Sequence, residues 1–240
     1  MIRLIAIAAA ALAASACNAD AKAEERDPGS SVSRTYQVAA FDRIEVSGPY
    51  DVIVKTGGAP GAKANGGGKL LDETEVVVEG NVLKIRPKKK VGISVNWGKR
   101  GSAKFAVTTA MLKGAAIGGS GGISIDKVTG DFKGTIGGSG DLAVAAITGG
   151  AVNLSIGGSG SITAAGTAQS TALKIGGSGD IDASGLAAKT ASVAIAGSGS
   201  ARANASETAK VSIAGAGDVA ITGGAKCSIS KVGAGDVSCS

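Results

Sequence analysis

The sequence predicts an all-β fold: a parallel β-solenoid of stacked rungs, each about 19 residues long. Three observations lead there. First, the phrase I-x-G-S-G, or a close variant, recurs seven times, with its central glycine at Gly119, Gly138, Gly158, Gly177, Gly197, Gly215 and Gly233. The steps between these glycines are 19, 20, 19, 20, 18 and 18 residues. Self-similarity at a fixed period near 20 marks a chain in which each repeat buries its apolar face on the next. Second, apolar residues fall at even offsets from that glycine. Ile117, Ile136, Ile156, Ile175, Ile195 and Ile213 stand two before it, and Ile123, Leu142, Ile162, Ile181, Val219 and Val237 four after it. A spacing of two is that of strands, and β-branched residues favour them. Third, only 2% of the chain is aromatic, which suits a narrow interior filled by Ile, Val and Ala.

The elements follow in chain order. Residues 1–17 read as an export signal: Arg3, an apolar run from Leu4 to Ala14, then A-S-A-C. Two cleavage readings stand side by side. A-S-A suits an ordinary signal peptidase, and A-S-A-C resembles a bacterial lipobox ending at an acylated Cys17, with Ala14 where Leu is preferred. Cysteine arithmetic favours the lipobox, because a lipid on Cys17 leaves an even pair, Cys227 and Cys239, in an oxidising compartment. Both lie six residues from Gly233, so period-two parity points both inward on the last rung, where a disulfide would clip it. Residues 18–35 are polar and aperiodic and read as a flexible tether.

Residues 36–240 form one elongated domain. Within 36–110 the G-S-G phrase is absent, but strand patterns run over Phe41–Val46, Tyr50–Lys55, Glu75–Glu79, Val82–Arg86 and Ala103–Val107, with Gly80-Asn81 as a hairpin turn. This part reads as irregular first rungs that cap the N-terminal end. Residues 111–240 hold the seven G-[SA]-G repeats. In each, G-S-G is expected to be a tight turn at positive φ, and a looser turn such as Thr148-Gly149-Gly150 or Ser184-Gly185 closes the rung. Where six rungs carry an inward Ile, the last carries Lys231, a charge that deters further strand pairing at an open edge.

The run F-D-R-I-E-V-S-G from Phe41 to Gly48, D-V-I-V from Asp51, N-V-L-K-I from Asn81 and the repeated I-x-G-S-G-D together resemble the head GIN domain family, whose label is an autotransporter adhesin. The likeness covers roughly residues 36–237. It implies a right-handed, single-stranded parallel β-helix in the bacterial cell envelope, and it brings no catalytic residues.

Five features bear on chemistry. Asp141, Asp180, Asp218 and Asp236 follow G-x-G, and the Asp218/Asp236 pair on adjacent rungs has the spacing of a glycosidase pair; the competing reading is that Asp is a turn former. The chain has no His, the commonest general base. G-G-S-G-D resembles the calcium β-roll repeat, but its Asp comes one residue early and its period is about twice too long. A phosphate-cradling loop needs a helix after it, and here strands follow. Ser120, Ser139, Ser159, Ser178 and Ser198 form a hydroxyl ladder that suits either a flat glycan or the turn backbone itself.

The fifth feature is basic. Between Glu79 and Asp126 there is no acid, and nine cations give +9 in a chain of net +6. The candidates for an anionic surface are Lys88, Lys89, Lys90, Trp97, Lys99 and Arg100. The expected partners are a membrane, through the lipid anchor, and an acidic glycan or lipopolysaccharide. Nucleic acid is not expected, because stacking aromatics are missing. The sequence leads to a monomeric, non-catalytic surface protein of the envelope, placed on the outer membrane, without metal or cofactor. A polysaccharide-active enzyme and a self-assembling scaffold are the alternatives.

Overall fold

Alternation of burial sets the shape of every rung. The computed structural model describes residues 29–88 and 103–240. The signal, Cys17 and residues 18–28 of the expected tether lie outside them, as do Lys89, Lys90, Trp97, Lys99 and Arg100.

The N-terminal part comprises β1 (Ser31–Tyr36), β2 (Arg43–Val46), β3 (Tyr50–Thr56), β4 (Gly61–Gly67), the single-turn helix α1 (Gly68–Asp72), β5 (Thr74–Glu79), β6 (Val82–Pro87) and β7 (Ala103–Thr109). The repeats supply β8 (Gly114–Ile117), β9 (Gly122–Ile125), β10 (Val128–Thr129), β11 (Phe132–Ile136), β12 (Asp141–Thr148) and β13 (Ala151–Ile156). They continue through β14 (Ser161–Ile175), β15 (Asp180–Gly197), β16 (Ser200–Gly215), β17 (Asp218–Thr222), β18 (Lys226–Gly233) and β19 (Val237–Cys239).

Strands before G-S-G stack as one parallel face: β8, β11, β13, then the C-terminal halves of β14, β15 and β16, and finally β18. Strands after it stack as a second: β9, β12, the N-terminal halves of β14, β15 and β16, then β17 and β19. A third, short side runs through the middle of the rung, where Val128, Ile147, Gly166 and Leu186 stand in register. The corners are places where two neighbours in a row face out, as at Ala145-Ala146 and Ser184-Gly185. The rung therefore has three sides, and the looser turns expected from the sequence belong to two different corners. Rung β15 alone buries Ile181, Leu186, Val193 and Ile195, each at 3% exposure or less. At roughly 1.5–3 kcal/mol per side chain, burial of this kind between rungs holds the stack together.

The G-S-G glycines serve a different need from the one expected. Left-handed φ occurs only in the last three copies, at Gly197 (147°), Gly215 (140°) and Gly233 (129°). What all copies after the first share is close approach to the previous rung. A Cβ on Gly158 would stand 3.0 Å from the Gly138 carbonyl carbon, with the oxygen closer still, and Gly160 meets Gly140 in the same way. The main chain between them is bonded rung to rung, as Ser159 N–H donates to Gly138 O at 3.1 Å.

At the N-terminal end the chain order and the spatial order differ. β2 pairs with both β6 and β8, and β3 with both β7 and β9, all parallel. The first rung in sequence thus lies between the rung β6–β7 and the rung β8–β9. Antiparallel strands cover the exposed edges: β5 on β6, β4 on β7 and β1 on β4. β1 begins at Ser31, inside the stretch expected as tether, and Arg34 fixes it by a 2.6 Å ion pair with Asp72. In this cap Thr74 hydroxyl donates to Leu70 O at 2.8 Å, so the buried Tyr50 hydroxyl donates to Thr74 Oγ1 at 3.0 Å. Burial pushes the Tyr50 phenol above its ordinary range.

At the C-terminal end Cys227 and Cys239 are joined in a disulfide, in register with the inward Ala209 and Ile221. Lys231 takes the register of the core residue Ile213 but stays exposed, and its ammonium donates to Gly235 O at 2.7 Å.

Candidate functional site

If even offsets from the central glycine point inward, odd offsets point out, and these separate by chemistry. On the first face the outward positions within strands β8 to β18 hold Lys, Ser, Thr, Asn, Ala, Gly and, in β18, the exposed Val232; the carboxylate of Asp131 stands at the border of the face, in the column of Ala151 and Lys226, where it accepts the Ala151 amide at 2.8 Å. Lys133 stands beside Gly114 and Asn153, Lys174 beside Ser155 and Ala194, and Lys210 beside Ser192 and Ser228. Lys226 ends the series, and all four lysines are exposed. Small side chains between the cations leave two shallow hollows that meet at Lys133. One, of about 380 Å³, is lined by Arg43, Lys113, Gly114, Ala116 and Lys133 among others; Glu45 also reaches it. The other, of about 350 Å³, lies between Lys133 and Lys174, over Asn153, Ser155 and Ala172.

The second face carries the acids. Asp141, Asp180, Asp182, Asp218 and Asp236 are outward there, and Arg202 sits 3.7 Å from Asp182. The Ser184 hydroxyl and amide hold the Asp182 carboxyl below its usual range. The solenoid is thus cationic on one side and anionic on another, a segregation imposed by the repeat because each column inherits one offset.

The aspartate ladder braces the stack. Asp180 Oδ1 accepts the Ser200 amide at 3.0 Å, and Asp218 Oδ1 accepts the Asp236 amide at 2.8 Å. Asp141 Oδ1 accepts the Ser161 hydroxyl at 2.7 Å. Each carboxylate therefore ties its rung to the next, whereas a turn former would bond its own backbone. A groove of about 420 Å³ lies over Asp218, Asp236 and Arg202. Among the described residues no three His, Cys, Asp or Glu gather closely enough to hold a metal ion. In the serine ladder it is the amide that bonds the rung before, as from Ser139 to Gly119 O and Ser178 to Gly158 O; the hydroxyls are exposed. Ala216 and Ala234 keep the same bond, so the hydroxyl is dispensable to the stack.

The basic segment is less free than its sequence suggests. Lys84 pairs with Glu79 at 2.6 Å, and Arg86 pairs with Glu75 at 2.7 Å and with Glu79 at 2.6 Å. Lys113 pairs with Asp42 at 3.1 Å, and the Lys88 ammonium donates to Asp72 O at 2.7 Å. The acids come from upstream in the chain, so a run without acid in sequence is not one in space. Hydrogen bonds from Lys84 and Arg86 hold the Glu79 carboxyl below its ordinary value. The other candidates of that segment, Lys89, Lys90, Trp97, Lys99 and Arg100, lie outside the described residues, as does Cys17. The lysines of the first face are not evident along the chain because Lys133, Lys174 and Lys210 are 41 and 36 residues apart and Lys226 follows 16 residues later. Aligning the repeats on the central glycine and reading the odd offsets for charge brings them out. Among the described residues no helix is long and apolar enough to cross a membrane.

Residues 40–225 match the family described as "Putative auto-transporter adhesin, head GIN domain". No curated protein matches the chain. Among solved structures, a protein of Bacteroides fragilis described as a putative adhesin superposes with a TM-score of 0.79 at 24% identity, covering 88% of this chain and 98% of its own. A Parabacteroides distasonis protein described as a putative lipid binding protein gives 0.68 at 25% identity, covering 88% and 97%. A second P. distasonis protein, described as a putative adhesin, gives 0.66 at 23% identity, covering 88% and 98%. At these identities the likeness establishes the fold.

Proposed function

This chain belongs to the head GIN domain family, and on that premise we propose that it is a non-catalytic interaction module displayed on the bacterial cell envelope, where it adheres to anionic material. The supporting observation is the division of charge between the two long faces of the solenoid. The strands of one face from β8 to β18 bear lysines and hydroxyls and no carboxylate, with Asp131 at the border of the face, and the other face is lined by aspartates. A rod of this kind offers a polyanion one side and repels it from the other. The aspartates already serve as rung-to-rung acceptors, which favours an adhesive over a hydrolytic role for the second face. In this reading the A-S-A-C run places a lipid on Cys17, and the outer membrane is the surface from which the rod is held out.

Two measurements test the reading. Cells lacking the protein should adhere more weakly to an anionic surface, and the adhesion that the protein confers should fade between low and high salt. Equal adhesion with and without the protein rejects an adhesive role. Labelled fatty acid should be incorporated into the wild-type chain and not into Cys17→Ser; incorporation into neither rejects the anchor.

A further inference from the structure

We propose that the first face is a track for an extended acidic polysaccharide lying along the solenoid axis, gripped by a cation on every second rung. The inference rests on the adhesive reading above and names its ligand class and its site.

The interval is the central observation. Arg43 stands on the rung of β2, Lys133 on that of β11, Lys174 on β14 and Lys210 on β16. One rung lies between each successive pair: β8, β13 and β15. Parallel strands stack about 4.8 Å apart, so measured along the axis the cations recur every ~10 Å over a span of ~29 Å; Arg43, Lys133 and Lys210 share one column, and Lys174 stands in the neighbouring outward column, two residues along its strand. That interval is close to two sugars of an extended, equatorially linked chain, in which alternate residues turn the same side to a surface. A uronic acid polymer would thus meet one cation per disaccharide.

The rungs between complete the track. They carry Gly114, buried under its neighbours, and the outward Ala116, then the outward Asn153 and Ser155, then the outward Ser192. The first pair leaves room for a ring and opens the hollow beside Arg43 and Lys133. The polar ones present donors and acceptors to sugar hydroxyls along the floor of the second hollow and beyond. None of Arg43, Lys133, Lys174 and Lys210 is held by an ion pair with a described carboxylate, so binding breaks no existing pair. An anionic bilayer would not need a one-dimensional interval, which is why the polymer is favoured over lipid.

The test uses the full mature chain and size-defined β-1,4-linked oligomannuronates, whose linkages are equatorial, followed by calorimetry at low salt. Affinity should rise with length until an oligomer spans the ~29 Å between Arg43 and Lys210, then level off per site. Lys133→Glu with Lys174→Glu should weaken the longest oligomer by about tenfold per reversed charge and flatten the salt dependence. Lys55→Glu, on the second face, should leave binding unchanged. Circular dichroism checks that each variant stays folded, and Lys133→Gln with Lys174→Gln gives a milder loss in the same direction. Oligomer binding that survives the first-face reversals overturns the track. If that binding is instead lost on reversing Lys88, Lys89 and Lys90, the adhesive reading remains with a different site. Binding to vesicles containing phosphatidylglycerol but to no oligomer overturns the polysaccharide assignment in favour of lipid. Binding to neither overturns the inference, and the cell adhesion assay then decides the broader reading separately.

Discussion

Two adjacent glycines should behave in opposite ways. Gly157 and Gly158 are neighbours in the same I-G-G-S-G phrase. A Cβ on Gly157 would rest 3.8 Å from Ile136 O, an ordinary contact. A Cβ on Gly158 would stand 3.0 Å from the Gly138 carbonyl carbon, with the oxygen nearer, and both are main chain that cannot rotate away. Carbon atoms pack at about 3.5–4.0 Å, so the rungs must part by roughly 1 Å at that point. Parting stretches the bonds from Ser159 N–H to Gly138 O (3.1 Å) and from Gly157 N–H to Ile136 O (2.8 Å). Overpacking costs about 1–3 kcal/mol and each lost hydrogen bond about 1 kcal/mol, so Gly158→Ala should cost about 3–5 kcal/mol. Gly157→Ala should be neutral or stabilise by about 0.5 kcal/mol, through the restricted unfolded chain. At 2–4 °C per kcal/mol for a chain of this size, the two Tm values should differ by about 10 °C. The repeats already carry out half of this experiment: Ala196, Ala214 and Val232 occupy the Gly157 position, whereas the Gly158 position is glycine in all seven. Thermal denaturation of the two variants is the assay. Equal Tm values would refute the argument that rung contact, rather than turn conformation, requires this glycine.

Three further outcomes are expected. The Thr171 hydroxyl is buried with no hydrogen-bond partner, and Val152 fills the same column one rung away, so Thr171→Val should stabilise by about 1 kcal/mol and raise Tm by about 2–4 °C. Replacing Cys227 and Cys239 by Ser should remove about 3 kcal/mol from the last rung. Hydrogen exchange should then quicken in β18 and β19 while β11 and β13 keep their protection, since rungs couple mainly to neighbours. The Glu79 carboxyl is held low by Lys84 and Arg86 in the folded chain. Its contribution is present above its unfolded value and is lost as pH falls through the lowered folded value. Amide exchange in the β5–β6 hairpin should accelerate over that acidic window, and Glu79→Gln should remove the dependence.

Residue spacing alone carries the repeats, the inward Ile columns and the inward parity of Cys227 and Cys239, because a period of two fixes which way a side chain points. Three features arise only from the folded chain. The third side of the rung is announced only by pairs such as Ala145-Ala146, which carry no turn residue. β1 and β4 read as polar or glycine-rich chain, with Val32 and the alanines Ala62 and Ala64 as their apolar signal; they are strands because they close the edges of β7 and of each other. The lysine face is written across rungs, whereas the chain read in order shows only the local charge run from Lys84 to Lys113; of that run Lys84, Arg86 and Lys113 are ion-paired, and the candidates Lys89, Lys90, Trp97, Lys99 and Arg100 lie outside the described residues.

The clasped first rung also decides how such a molecule can change length over evolutionary time. With β2–β3 held between β6–β7 and β8–β9, the head has no free seam at which a rung can be inserted or removed without cutting a pairing on both sides. The stack from β11 onward has a seam at every rung. Duplication or loss of one unit there leaves both ends intact and moves the tip by ~4.8 Å. The length of the stack is therefore a quantity that tandem duplication can tune in single steps, while the head and the disulfide-closed last rung remain fixed fittings at either end.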